Sequence, residues 1–132
     1  MSFLLDTNIC SAHLKDDRVL FHRFVQHAGN LYISNVILAE LYSWAYGAQN
    51  PAKRLNRIGR LLPDLTISQF DERAAEEFGR LSAALRRKGV TVGGFDLLIA
   101  ATAKVEGHAL VTHNTRDFQA IPGLILVDWL VP

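Results

Sequence analysis

The sequence predicts an α/β protein, a three-layer α/β/α sandwich around a short parallel sheet of about five strands. Short apolar runs alternate with longer amphipathic ones along the whole chain. No internal repeat and no linker rich in Ser, Gly or Pro interrupts this alternation. The length of 132 residues suits one hydrophobic core, so we expect a single domain over residues 1–132.

Residue types at the boundaries justify each element in the first third of the chain. Residues 3–5 are apolar and predict a buried strand, and Asp6 can cap the helix that follows it. Residues 17–28 predict a second helix and residues 31–33 a second strand. Ser34 can cap a third helix. Its apolar positions recur every three or four residues, at Ile37, Leu41, Trp44 and Ala48.

The middle of the chain predicts two more helices and one strand. Pro51 suits the first turn of a fourth helix, with Leu55, Ile58 and Leu62 on one side. The other side of that helix carries a basic cluster, Lys53, Arg54, Arg57 and Arg60. Residues 65–67 are a third strand. Residues 71–88 form the plainest amphipathic helix of the sequence, which a glycine ends.

The last third predicts the rest of the sheet. A glycine pair precedes residues 95–103, which are apolar on nearly every side, as in a helix packed between neighbours. Residues 109–112 and 125–127 are the last two strands, separated by a short helical turn that begins near Asn114. Because helices intervene between the strands, the sheet should be parallel, with right-handed crossovers.

Composition narrows the functional class. The 14 Lys and Arg residues balance 13 Asp and Glu residues, which is unlike a protein held to nucleic acid by bulk positive charge. No apolar run approaches the roughly 18 to 20 residues that cross a bilayer, and the N-terminus lacks the pattern of a secretory signal. The single cysteine, Cys10, cannot form an internal disulfide. We therefore expect a soluble, cytoplasmic protein with no membrane contact.

Four acids are candidate functional residues, and each also has a structural alternative. Asp6 follows the first strand and could simply cap a helix. Glu40 lies at the edge of a buried stripe, where it could pair with an arginine. Asp96 lies in the first turn of the apolar helix, where the helix dipole favours negative charge. Asp117 follows the fourth strand and could cap the short turn.

Together these acids indicate a metal site, because carboxylates that share one sheet edge cannot all stay ionised without a cation. All-oxygen ligation favours Mg²⁺ or Mn²⁺, and the five histidines and one cysteine show no zinc-binding spacing. The chain also lacks the glycine-rich phosphate loop, the dinucleotide fingerprint and the serine-hydrolase elbow. A phosphatase with an aspartate nucleophile would need a second Asp where Asn8 stands. The remaining chemistry is phosphodiester hydrolysis by metal-activated water.

Several segments, in this order and spacing, resemble the PIN-domain ribonucleases, and more closely the VapC toxins of bacterial toxin–antitoxin pairs. They are FLLDTN at residues 3–8, SNVILAEL at 34–41, FDLLIAA at 95–101, LVTHNTRDF at 110–118, IPGL at 121–124 and VDW at 127–129. The resemblance covers nearly the whole chain. It implies that Asp6 and Asp96 are the principal Mg²⁺ ligands, with Glu40 and Asp117 completing the pocket directly or through water.

The resemblance also implies the reaction and the partners. The expected activity is a Mg²⁺-dependent endoribonuclease, the toxin of a type II toxin–antitoxin system, which cuts structured translation RNA (tRNA or rRNA) and leaves a 3′-hydroxyl and a 5′-phosphate. A cognate VapB-type antitoxin and homodimerisation are expected, with Tyr42 and Tyr46 as interface candidates. Asn8, Thr112 and Asn114 resemble residues that orient ligands or the scissile phosphate. RNA contacts are expected from Arg116 and from the basic cluster, although that cluster could equally be a solvated helix face.

Two alternatives belong to other functional classes. A catalytically silent PIN-like module would bind RNA or protein on the same fold, although such a copy would be free to lose its acids, and all four are present. A receiver-like signalling domain would need a phosphoacceptor Asp after the third strand and a Lys after the fifth, and the sequence has neither. Cleavage of DNA in place of RNA remains an alternative within the nuclease class. His113 is assigned a structural role.

Overall fold

The computed structural model describes residues 1–131, and its five strands form one parallel sheet. The strands in chain order are β1 (Phe3–Leu5), β2 (Leu31–Ser34), β3 (Thr66–Ser68), β4 (Ala109–Val111) and β5 (Leu126–Val127). Their order across the sheet is β3-β2-β1-β4-β5, and every neighbouring pair is parallel. The predicted α/β class and the parallel five-stranded sheet are confirmed.

Seven α-helices in residues 1–131 connect and flank the strands. They are α1 (Thr7–Lys15), α2 (Phe21–Gln26), α3 (Asn35–Tyr46), α4 (Ala52–Leu61), α5 (Glu72–Arg87), α6 (Gly94–Glu106) and α7 (Thr115–Phe118). Side-chain caps fix the starts of α3 and α5. The Ser34 hydroxyl accepts the Ile37 N–H at 3.1 Å, and Asp71 accepts the Ala74 N–H at 3.0 Å. A 3₁₀ turn at Leu62–Asp64 leads into β3.

Strands β1 and β4 are buried at every position, which explains their unbroken apolar sequences. Helix α6 is buried along most of its length and packs against both α5 and β4. Full burial of a leucine such as Leu4 or Leu110 stabilises the fold by about 1.5–3 kcal/mol. The carboxyl ends of β1 and β4 are therefore held by a fully buried part of the core.

The chain order reverses between β1 and β4, which lie side by side in the sheet. From β1 the chain moves to β2 and β3 on one side, and from β4 to β5 on the other side. Leu5 pairs with Val111 at the end of this central pair, and the Asp6 N–H donates to the Val111 carbonyl at 2.9 Å. Such a switch point opens a crevice beyond the carboxyl ends of the strands, where ligands bind in this class of fold.

Several boundary predictions were wrong in detail. Helix α2 is shorter than residues 17–28, since residues 17–20 form a turn and Arg18 hydrogen-bonds back to Asp16 through its N–H and guanidinium. Strand β3 begins one residue later than predicted. Ala48 lies beyond the end of α3, and Ala45 takes the buried position. Ile125 precedes β5 and is exposed.

No helix within residues 1–131 combines the length and the apolar character of a bilayer-spanning segment.

Candidate metal centre

Asp6 is a buried carboxylate at the end of β1, with only 6% of its surface exposed. It caps α1, since Oδ1 accepts the Thr7 N–H at 2.8 Å. The other oxygen, Oδ2, accepts the Thr112 hydroxyl at 2.8 Å. The capping alternative is thus correct as a description of one oxygen. The second oxygen faces a different partner, so capping alone does not account for the side chain.

Thr112 is the centre of a hydrogen-bond network behind Asp6. Its hydroxyl is fully buried, donates to Asp6, and accepts the Asn114 N–H at 3.1 Å and the Asn8 amide at 3.4 Å. The Asn8 carbonyl oxygen in turn accepts the His113 N–H at 3.1 Å. The three polar residues that the sequence suggested, Asn8, Thr112 and Asn114, are therefore joined in one network that orients Asp6. Their contact with a scissile phosphate stays a prediction.

Glu40 reaches the same edge from the second turn of α3. Its Oε1 accepts the Thr7 hydroxyl at 2.7 Å. The predicted alternative, a salt bridge to an arginine, is wrong: no ion pair to Glu40 is present in residues 1–131. Thr7 is a site residue that the sequence analysis missed. Its position between Asp6 and Asn8 in the DTN segment was the available signal.

Asp96 and Asp117 face a common cleft from α6 and α7. Asp96 lies in the first turn of α6 and is partly buried, whereas Asp117 is exposed. Both line a cleft of about 380 Å³, together with Gly93 and Arg116. Asp117 does not cap α7, because it lies inside the helix, and the capping position, Asn114, makes no side-chain cap hydrogen bond. Arg116 is the cationic side chain that the prediction placed beside Asp117, and it lines this cleft.

The electrostatics join the four acids into one cluster. Burial raises the pKa of Asp6, the hydrogen bonds from Thr112 and Thr7 lower it, and the charges of Glu40 and Asp117 raise it further. Burial also raises the pKa of Asp96, as do the charges of Asp6, Asp117 and Glu40. None of the four carboxylates forms a salt bridge with a Lys or Arg of the described chain. The protein therefore concentrates negative charge here without neutralising it.

The donor set fits a hard divalent cation. Mg²⁺ is held by oxygen ligands and typically keeps several waters beside one or two carboxylates. The acids do not form a closed cage: across residues 1–131 no three His, Cys, Asp or Glu side chains stand at mutual ligand spacing. An open, carboxylate-rich edge matches the water-completed coordination of Mg²⁺ and leaves room for a phosphate oxygen. Asp6, Glu40, Asp96 and Asp117 are the residues that could hold the ion.

Histidine and cysteine are engaged in other ways. His108 is buried between the hydroxyls of Ser2, at 2.6 Å, and Ser68, at 2.9 Å. The His13 ring stacks on Phe24 with centroids 4.0 Å apart. Burial, together with the charge of Asp6, raises the pKa of the Cys10 thiol to about 12, so Cys10 is a neutral packing residue. These residues do not supply a nucleophile or a zinc site.

The basic cluster on α4 divides between two roles. Arg54 donates to the Trp44 carbonyl at 2.6 Å, and its guanidinium lies 4.7 Å from the centre of the Trp44 ring. Arg54 thus fastens α4 to α3. Arg57 and Arg60 line a separate cleft of about 470 Å³. Among the basic residues that the sequence singled out, Arg116 lines the acidic cleft. RNA contacts from the basic cluster stay a prediction.

The chain is similar to known proteins in both sequence and structure. The pattern of the PIN domain matches residues 3–124. A tRNA(fMet)-specific endonuclease VapC from Shigella flexneri is 37% identical over 130 residues, 98% of each chain. Among solved structures, DNA-bound VapBC from Salmonella typhimurium matches with a TM-score of 0.93 at 34% identity, over 98% of each chain. VapBC2 from Rickettsia felis, bound to promoter DNA, has a TM-score of 0.92 at 32% identity, over 98% of this chain and 99% of that one.

Proposed function

The chain belongs to the PIN-domain family and, within it, to the VapC ribonucleases, and from this premise we propose that it is a Mg²⁺-dependent endoribonuclease. We further propose that it acts as the toxin of a type II toxin–antitoxin system. One observation supports the catalytic assignment: four carboxylates, one directly after β1 and the others on α3, α6 and α7, lie close enough for their charges to raise the pKa of Asp6 and Asp96, and in residues 1–131 no Lys or Arg pairs with them. A divalent cation is the missing counter-charge.

In this proposal Asp6 and Asp96 are the principal Mg²⁺ ligands, and Glu40 and Asp117 complete the site directly or through water. When bound, the ion would acidify water and stabilise the negative charge that develops on the phosphoryl oxygens. The chain's own residues prepare that site. Thr112 and Thr7 hold both Asp6 oxygens in fixed directions by hydrogen bonds of 2.8 Å. Arg116 offers a guanidinium to a phosphate of the RNA strand entering the cleft.

The proposed substrate is structured translation RNA. A relative from Shigella flexneri and one from Salmonella typhimurium are named as tRNA(fMet)-specific endonucleases, with 37% and 34% identity to this chain. Initiator tRNA is therefore the first RNA to test. In-line attack of water would cut the P–O3′ bond and leave a 3′-hydroxyl and a 5′-phosphate. Asp96 and Asp117 line a surface cleft, which suits a looped or single-stranded segment of the tRNA.

The proposed partner is a VapB-type antitoxin, since similar solved structures are VapBC complexes. This chain exposes apolar surface that a partner could cover. Phe21 and Val25 of α2 are 64% and 61% exposed and border a groove of about 670 Å³ that also contains Phe24. Tyr46 of α3 is 65% exposed and stays an interface candidate, with Tyr42, for the proposed homodimer. A toxin that acts on translation RNA would work in the cytoplasm.

The test is cleavage of initiator tRNA by purified protein that is free of antitoxin. Reactions contain Mg²⁺, Mn²⁺ or EDTA, and the fragment ends are mapped. Asp6→Asn and Asp96→Asn are compared with Asp17→Asn, a matched change of an exposed acid on the loop after α1. We expect discrete cuts in Mg²⁺ that the first two variants and EDTA abolish and that Asp17→Asn retains. Equal cleavage by wild type and both site variants would refute the assignment.

Two further reactions separate the alternatives. Total cellular RNA replaces tRNA to find another RNA target, and a single-stranded DNA of the same sequence tests DNA cleavage. If the folded wild type binds Mg²⁺ and RNA but cuts neither RNA nor DNA, the silent PIN-like binding module becomes the better description.

A further inference from the structure

His113 and Asp128 form a hydrogen-bonded pair at the same sheet edge as the acids. His113 follows β4, and Asp128 follows β5 directly. His113 Nδ1 lies 3.0 Å from Asp128 Oδ2. The Asp128 side chain is only 14% exposed, and its other oxygen accepts the Leu130 N–H at 2.9 Å. Asp128 is therefore a fixed carboxylate that holds one side of the His113 ring.

The backbone of His113 is fixed as well. Its N–H donates to the Asn8 carbonyl oxygen at 3.1 Å, and the preceding residue, Thr112, donates to Asp6. His113 is thus one residue from the side chain that orients Asp6. Its own side chain remains 53% exposed, and within the described chain no hydrogen bond involves Nε2. The ring is therefore held at the carboxyl end of β4, one residue from the Thr112 side chain that binds Asp6, with one nitrogen accessible.

A hydrogen bond between the neutral His113 ring and Asp128 contributes little to the stability of the fold at a half-exposed position, so stability does not by itself explain why the ring is held in one orientation. A carboxylate that accepts from Nδ1–H selects the tautomer in which Nε2 is an acceptor. Near an RNA strand, phosphate oxygens offer no donor to such a nitrogen, whereas the ribose 2′-hydroxyl does. The arrangement therefore matches recognition of a ribose more closely than recognition of a phosphate.

We propose that His113 positions the RNA strand beside the acid cluster by accepting a hydrogen bond from a ribose 2′-hydroxyl, and that Asp128 is the positioning residue that fixes its tautomer. The inference rests on the proposed function, because it requires RNA to enter the carboxylate site. It adds a contact that would favour RNA over DNA at this position. The sequence analysis had assigned His113 a structural role only.

The test uses the KM and kcat for cleavage of in-vitro-transcribed initiator tRNA in Mg²⁺. His113→Asn keeps an amide near the Nδ1 position but removes the outer nitrogen, whereas His113→Gln restores a polar atom near the Nε2 position. Loss of one such hydrogen bond corresponds to about a tenfold effect. We expect KM to rise about tenfold in His113→Asn with kcat within about twofold, and His113→Gln to recover most of the loss. His22→Asn, at an exposed position on α2, should leave both constants unchanged.

Asp128→Asn and a modified substrate test the tautomer and the ribose. The amide of Asn can donate to Nδ1 and reverse the tautomer, so Asp128→Asn should raise KM as much as His113→Asn. The double variant should be no worse than either single variant. Single 2′-deoxy substitutions walked across the mapped cut site should reveal one position that weakens cleavage by wild type about tenfold and has no effect on His113→Asn.

The outcomes separate this inference from the proposed function. If His113→Asn keeps the wild-type KM while Asp96→Asn abolishes cleavage, the ribonuclease assignment stands and the role of His113 is refuted. If His113→Asn and His113→Gln both lose activity and both lower the melting temperature equally, the pair serves the fold and the inference is again refuted. If Asp96→Asn still cleaves the tRNA, the site itself is misassigned, and both proposals fail together.

Discussion

Replacing the buried hydroxyl of Thr112 tests how the fold holds a carboxylate at the end of β1. Thr112→Val keeps the shape of the side chain but removes the donor to Asp6 at 2.8 Å and the acceptor for the Asn114 N–H at 3.1 Å. A hydrogen bond to a charged group contributes about 1.5–3 kcal/mol, and a stranded buried group adds further cost. We expect Thr112→Val to lower the free energy of unfolding at pH 7 by about 2–4 kcal/mol.

The assay is urea unfolding of metal-free protein at neutral and acidic pH. Thr112→Ser keeps the hydroxyl and loses one buried methyl group, so it should cost only about 1 kcal/mol. Because the Thr112 hydrogen bond lowers the pKa of Asp6, the loss in Thr112→Val should shrink once acid has protonated that carboxyl. A loss below about 0.5 kcal/mol, or one that does not change with pH, would refute the role of this network.

Three further predictions concern Asp96, His108 and Arg54. The pKa of Asp96 is raised in the folded protein, so its ionisation destabilises the metal-free fold at neutral pH, and Asp96→Asn should raise the melting temperature in EDTA at pH 7 but not in acid. The same variant should reduce the rate of RNA cleavage at least about 100-fold. Burial lowers the pKa of His108 from its ordinary 6.5, so the free energy of unfolding should decrease as pH drops below about 6.5. In urea unfolding, His108→Gln should show a smaller decrease over the same pH range. Arg54→Lys should cost about 1–2 kcal/mol in the same assay, by loss of the Trp44 contacts, whereas Arg57→Lys should change stability by less than about 0.5 kcal/mol.

The strand ends and the acids could be predicted because both follow from local sequence. Residues 3–5 and 109–111 are apolar at every position, and a parallel sheet brings their carboxyl ends to one edge. Asp6 comes directly after the first of these strands, so a parallel sheet places its carboxylate at that edge. Asp96 was predicted from a different local signal, its position in the first turn of the most apolar helix. The fold class and the family were confirmed.

The partners of these acids could not be predicted, because they come from distant parts of the chain. Thr7 contacts Glu40 across 33 positions of sequence, and Thr112 contacts Asp6 across 106 positions. No local pattern distinguishes Glu40 bound to a hydroxyl from Glu40 bound to an arginine. The tertiary structure alone decided this alternative in favour of the hydroxyl.

The contacts of the basic cluster also could not be predicted from the sequence. The spacing of Arg54, Arg57 and Arg60 indicates one helix face, but it does not reveal that Trp44 of the preceding helix engages Arg54. The end of α3 likewise depended on contacts outside the local pattern, since the apolar period continued to Ala48 while the helix ended at Tyr46. Periodicity indicates which residues can share a face, and packing determines which of them do.

The most direct test of the account is the position of a bound divalent ion. Crystals of the protein soaked in Mn²⁺, a hard ion with the same ligand preference as Mg²⁺, give an anomalous signal that locates the metal. We expect a peak within ligand distance of Asp6 and Asp96, near Glu40 and Asp117, that disappears in Asp96→Asn. A peak that persists unchanged in that variant, or no peak at this edge in a protein that cuts RNA with Mn²⁺, would contradict the assignment of these acids as the metal centre.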